Sequence, residues 1–163
     1  MHLSDTRISD NGTGCFVSGR GSKLDVEECL VAQSEKHGIH VLSGSTCSLS
    51  DTIVTGNGAH GVIIEHRHSH LVARASELCR NGNSGVSASL MATVELNECS
   101  LVSNKVAGVH ASVRDLLWPV PCRSRLVHPA LLDGFCAWCL PTDANGKVSC
   151  HSAPSDKGDL YFV

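Results

Sequence analysis

Five glycines, Gly14, Gly38, Gly61, Gly85 and Gly108, recur at intervals of 24, 23, 24 and 23 residues, and each opens the same alternation of apolar and variable positions. A fixed period of this length is the mark of a solenoid, in which one repeat cannot bury its own apolar face and must stack on its neighbours. That constraint governs how every other residue is read.

After each glycine come Cys15-Phe16-Val17, Ile39-His40-Val41, Val62-Ile63-Ile64, Val86-Ser87-Ala88 and Val109-His110-Ala111. The first and third positions are small or aliphatic and the middle one is free, which is the period of a strand and not of a helix. A second short apolar stretch precedes each glycine, at Thr6-Arg7-Ile8, Cys29-Leu30-Val31, Thr52-Ile53-Val54, Ser76-Glu77-Leu78 and Cys99-Ser100-Leu101. Between the two lie turns such as Asp10-Asn11-Gly12, Gly56-Asn57-Gly58, Asn81-Gly82-Asn83 and Ser103-Asn104, where Asn and Gly are expected to supply the left-handed backbone of a tight corner. A third strand follows a polar corner, at Lys23-Leu24-Asp25-Val26, Cys47-Ser48-Leu49, His70-Leu71-Val72 and Thr93-Val94-Glu95-Leu96. Three strands and three corners per repeat make one rung of a parallel β-helix.

The cores Asn57-Gly58-Ala59-His60-Gly61-Val62-Ile63-Ile64 and Asn81-Gly82-Asn83-Ser84-Gly85-Val86 resemble the repeats of the right-handed parallel β-helix (pectin-lyase-like) superfamily. The resemblance spans roughly residues 2 to 117 and implies an all-β, right-handed parallel β-helix solenoid of about five rungs of 23–24 residues. Composition fits a narrow core of stacked aliphatic side chains, because aromatic residues are only 4% of the chain. With rungs about 4.8 Å apart, five of them make a stack of roughly 24 Å.

The repeat stops near Leu117. From Trp118 onward the chain holds all five prolines and both tryptophans, and proline removes ladder donors, so 118–163 is expected to be a non-repetitive tail, poorly ordered or a loose cap, and not a sixth rung. Leu126 to Trp138 has apolar residues enough for one short helix over the last rung. At the other end the first rung begins almost at Met1 with no polar cap ahead of it, so the chain reads as a fragment of a longer protein.

A net charge of −3 with scattered Lys and Arg offers no basic field, which argues against nucleic acid and anionic membrane as partners. Neither a signal-peptide pattern nor an apolar run of spanning length is present, and the expectation is a soluble, cytoplasmic chain. The cysteine count of nine is odd. Cys29 and Cys99 alternate with Thr52 and Ser76, and Cys15 with Ile39, Val62, Val86 and Val109, so the repeat cysteines are expected to be reduced, buried fillers. In the tail, Cys136 and Cys139 have the spacing of a zinc pair, which Cys122, His128, Cys150 and His151 could complete; a second pair is missing, and unremarkable thiols are the favoured reading. His66, His68 and His70 alternate across a corner and are expected to be solvated, not ligands. No metal and no cofactor is expected.

Function turns on the outward row of the glycine strand. Carbohydrate-active members of the superfamily carry catalytic Asp, Lys, Arg or His on an outer face, often with calcium, and the resemblance makes that face the place to look. Here it holds Phe16, His40, Ile63, Ser87 and His110, then Ser18, Leu42, Glu65, Ser89 and Ser112. One carboxylate in the row is too few for paired acid and base chemistry or for calcium. His40 and His110 stand three rung steps apart, about 14 Å, too far to act on one bond. The expectation is therefore no catalytic residue and no enzyme, but a scaffold that binds a protein or glycan through Phe16, His40, Leu42, Ile63, Glu65 and His110. Similar short repeats occur in the β-helix domains of F-box adaptor proteins, although no F-box helix pattern is present. The alternative is the remnant of a carbohydrate-active lyase, hydrolase or epimerase.

Overall fold

The computed structural model describes residues 1–112 and the strands Cys122–Arg125, Trp138–Cys139, Cys150–His151 and Asp159–Phe162. Its first rung carries β1 (His2–Ser4), β2 (Arg7–Ser9) and β3 (Cys15–Ser18), and the second β4 (Lys23–Glu27), β5 (Leu30–Ala32) and β6 (Ile39–Leu42). The third has β7 (Thr46–Ser50), β8 (Ile53–Thr55) and β9 (Val62–Ile64), the fourth β10 (His70–Arg74), β11 (Glu77–Cys79) and β12 (Val86–Ala88), and the fifth β13 (Thr93–Ser100) and β14 (Val109–Ser112). The remaining strands are β15 (Cys122–Arg125), β16 (Trp138–Cys139), β17 (Cys150–His151) and β18 (Asp159–Phe162). No described residue is helical.

Every rung pairs in parallel with the next. The first face runs β1-β4-β7-β10-β13 and the third β3-β6-β9-β12-β14, while β2, β5, β8 and β11 form the second and meet β13 at its far end. β13 bends through Glu98 at φ 55° and serves both of the first two faces, which is why they count as one sheet. Cys15, Ile39, Val62, Val86 and Val109 stand in register on the third face, all buried, which is the inward ladder that the glycine spacing implies. β15 lies parallel to β13, and β18 antiparallel to β14. Most of 118–163, including the expected tail, cap or short helix, lies outside the described residues.

The core is one contiguous column. Leu24, Val26, Cys47, Leu49, Leu71 and Leu96 enter it from the first face, Val31, Val54, Leu78 and Leu101 from the second, and Ile39, Val41, Val62, Ile64 and Val86 from the third. No ring is among these inward residues, because a column enclosed by three close sheets has room for branched aliphatic chains and thiols only. Burial pushes the Cys15 thiol up to about 11 and raises Cys47 further still, with Cys29 adding to the effect at Cys15, and Cys15 and Asp25 adding to it at Cys47. Such thiols are inert fillers, as expected from their alternation with Ile and Val.

The corners differ from the sequence expectation in one respect. The left-handed residue is not the asparagine but the one before it: Asp10, Gln33, Gly56, Arg80 and Ser103 all have positive φ. Asn57, Asn81 and Asn104 follow them and turn inward, each at most 2% exposed. Asn81 Oδ1 accepts from the backbone N–H and side-chain amide of Asn57, and Asn81 Nδ2 donates to Val54 O and to Asn104 Oδ1. A left-handed L-residue costs roughly 1–2 kcal/mol, and a buried amide ladder that satisfies several donors and acceptors per rung offsets it.

The first corner repeats this logic with shorter side chains. Asp5, Glu28, Asp51, Ala75 and Glu98 are left-handed, and the next residue (Thr6, Cys29, Thr52, Ser76 or Cys99) donates its Oγ or Sγ proton to the carbonyl two residues back. Thr6, Cys29, Thr52 and Ser76 belong to the corner and not to the strand that follows, while Cys99 lies within the bent strand β13. Cys29 and Cys99 therefore act as donors as well as fillers. The third corner uses two positive-φ residues per rung, Gly19 with Gly21, Ser43 with Gly44, His66 with His68, and Leu90 with Met91.

Candidate functional site

The recurring glycines are needed for space and not for φ. A Cβ on Gly38 would stand 2.6 Å from Gly61 O and 2.8 Å from Asn57 Nδ2, and one on Gly61 would meet Gly85 O and Asn81 Nδ2 at 2.6 and 2.8 Å. This close approach draws the chain in just ahead of the third face, so the strand that follows presents its even positions outward in a straight row.

In that row Phe16, His40, Ile63, Ser87 and His110 are in register. Phe16 is 64% exposed, Ile63, Leu42, Glu65 and His110 are half-buried, and Ser87 is covered, its Oγ lying 3.4 Å from His110 Nδ1. Leu42 pairs with Ser18 one alternate step along. Of the expected binding residues the fold brings three into contact. The Phe16 ring meets His40 edge-on at 5.3 Å, and His40 Nε2 lies 2.9 Å from Glu65 Oε2. His110 stands apart from His40 by three register steps.

The His40–Glu65 contact is a diagonal, one rung on and two residues along. The same diagonal recurs on the first face, His2 with Glu27 at 3.9 Å and His70 with Glu95 at 3.6 Å. Of the three pairs, His40–Glu65 is the shortest and the most shielded, with side-chain exposures of 21% and 30%. His66 and His68 are exposed at the third corner, as expected, where their positive φ breaks the alternation that a shared ligand would need.

Two residues that the repeat pattern does not single out join this cluster. His37 and His60, each just ahead of a recurring glycine, stack 5.5 Å apart at 10° between ring planes, and His37 lies 5.6 Å from His40. Burial holds both imidazoles below the usual histidine range, His60 at about 4; His40 adds to the effect at His37, and His37 and His110 at His60, while Glu65 opposes it at both. Their sequence signal is plain in retrospect, since they occupy the same place in successive repeats.

Among the described residues no group of three or more His, Cys, Asp or Glu is arranged to hold a metal ion, and no helix is long and apolar enough to cross a membrane. The tail candidates Cys122, Cys136, Cys139, Cys150, His128 and His151 lie outside the residues whose side chains are described.

No curated protein and no solved structure matches the chain. A family model described as a right handed beta helix region matches residues 1–115, the whole of the five-rung stack. The chain belongs to the right-handed β-helix family.

Proposed function

We propose that this solenoid is a non-catalytic recognition module, working in the cytoplasm, that binds a protein or a glycan across the outer side of its third face. The observation that carries the reading is the commitment of Glu65, the one carboxylate of that row, to His40 at 2.9 Å beside the exposed ring of Phe16. A carboxylate engaged by an imidazole does not make one of a pair of carboxylates for acid–base work, whereas an exposed ring against an imidazole, in one outer row with Ile63 and Leu42, suits contact by apolar area and hydrogen bonds. The net charge of −3 supports a partner other than nucleic acid or an anionic membrane.

One observation favours the alternative, the remnant of a carbohydrate-active enzyme. A histidine oriented by a glutamate is also the arrangement of a general base. Incubation with polygalacturonate and alginate, with and without calcium, separates the two. Binding without turnover, abolished when Phe16→Lys and Leu42→Lys are combined, is the expected result for a glycan ligand; a protein ligand recovered by affinity should be lost in the same double variant. Turnover that disappears in His40→Ala or His110→Ala would overturn the recognition reading in favour of the enzyme.

A further inference from the structure

We propose that His37 and His60 form a pH-sensitive latch, which ties the second, third and fourth rungs together at the corner ahead of the third face while both imidazoles are neutral and opens when they take up protons. The geometry is a relay of side chain to backbone. His37 Nδ1 accepts the backbone N–H of His60 at 3.4 Å, and His60 Nδ1 accepts the backbone N–H of Ser84 at 3.3 Å. Each imidazole thereby satisfies a donor in the rung that follows it. That role requires an unprotonated Nδ1, hence the tautomer with its proton on Nε2. Asn83 Nδ2 lies 3.3 Å from His60 Nε2, so with the proton on Nε2 two donors would face each other and the latched state requires the Asn83 amide turned end for end, its oxygen toward the ring.

Protonation at Nδ1 removes the acceptor and turns it into a donor facing another donor. It also places like charges in rings stacked 5.5 Å apart. The charged and titratable groups around the pair are Lys36 and His40 at His37, His110 at His60, and Glu65 near both. Only Glu65 favours the charged form, and it is already engaged by His40. The latch therefore has nowhere to send an added charge except into solvent, by swinging out of the stack.

The sign follows from linkage. A histidine whose folded-state pKa is depressed contributes stability that is present above the unfolded value, here 6.5, and is lost as pH falls through the folded value, about 4 for His60. The molecule contains its own control, because the Asn57 and Asn81 N–H groups are held by Asn81 and Asn104 Oδ1, which do not titrate in this range. The latch is also continuous with the outer row, since His37 touches His40 and His40 touches Phe16.

Hydrogen exchange on the full chain, corrected for intrinsic rates, tests this together with nitrogen-15 spectra of the labelled imidazoles. Between pH 6.5 and 4.5 the His60 and Ser84 amides should lose protection by about tenfold relative to those of Asn57 and Asn81. His37 and His60 should carry their neutral-pH proton on Nε2. The double variant His37→Asn, His60→Asn, which substitutes an amide acceptor, should abolish the difference. Equal loss at all four amides, or an Nδ1–H tautomer at pH 7, refutes the latch; both readings come from the wild-type chain and stand if the variant does not fold.

Discussion

Two ladders cross the same rungs three residues apart, and they perform the same task with different chemistry. In the buried one, Asn57, Asn81 and Asn104 accept backbone N–H groups from the rung before them; in the half-buried one, His37 and His60 accept from the rung after. The amide ladder sits beside the core, where an ionisable acceptor would be costly, and so is insensitive to pH. The imidazole ladder sits at the edge of the outer row, where partial exposure makes a proton affordable in acid. Position in the cross-section, and not the hydrogen-bond pattern, decides which ladder can respond to its surroundings.

The largest expected effect comes from breaking the buried ladder. Asn81→Ala removes four side-chain hydrogen bonds and strands the Asn57 N–H in a site 2% exposed. A loss of about 3 kcal/mol is expected, and chemical denaturation should give the same loss at pH 7 and pH 5. A strongly pH-dependent loss would erase the distinction between the ladders.

A smaller, steric effect is expected for Gly61→Ala. The added methyl meets Gly85 O at 2.6 Å and Asn81 Nδ2 at 2.8 Å, and neither atom can retreat without opening a ladder. About 2 kcal/mol of stability should be lost. A neutral or stabilising result in a melting experiment would show that the rungs are not pinned at this corner.

The smallest effect sharpens the comparison from the other side. Ser34 occupies the ladder position of Asn57 one rung earlier, receives the Asn57 Oδ1 contact on its backbone N–H, and buries an Oγ that has no hydrogen-bond partner. Ser34→Asn would extend the amide ladder by one member and should stabilise by about 0.5–1 kcal/mol. A destabilised variant would mean that Val31 and Gly14 leave no room for the longer side chain at the second rung.

Much of the outer architecture was legible in the repeat alone. The inward positions of Ile39, Val62, Val86 and Val109, and the equivalence of Cys29 with Thr52 and Ser76, follow from period two within strands and a constant offset between rungs. The corner chemistry was only half legible. Asn after Gly56 or Arg80 marks a turn in sequence, but that the residue before it takes the left-handed backbone, and that its own amide turns inward onto a neighbouring rung, is set by how the corners stack. The His40–Glu65 contact was equally hidden, because neighbours on an outer face are set by register and diagonal reach.

The sequence by itself determined that this chain stacks, because no single repeat has enough apolar surface to fold alone and five in register leave one way to bury it. Only the tertiary structure decided what the corners and the outer row do. A hydrogen bond between rungs joins residues 22 to 28 positions apart, and the path of each corner chooses the partner while the strands keep the same inward positions. Burial is averaged over many side chains and constrains only which face of a strand points inward, whereas hydrogen bonds and ion pairs depend on individual distances that the stacked corners set.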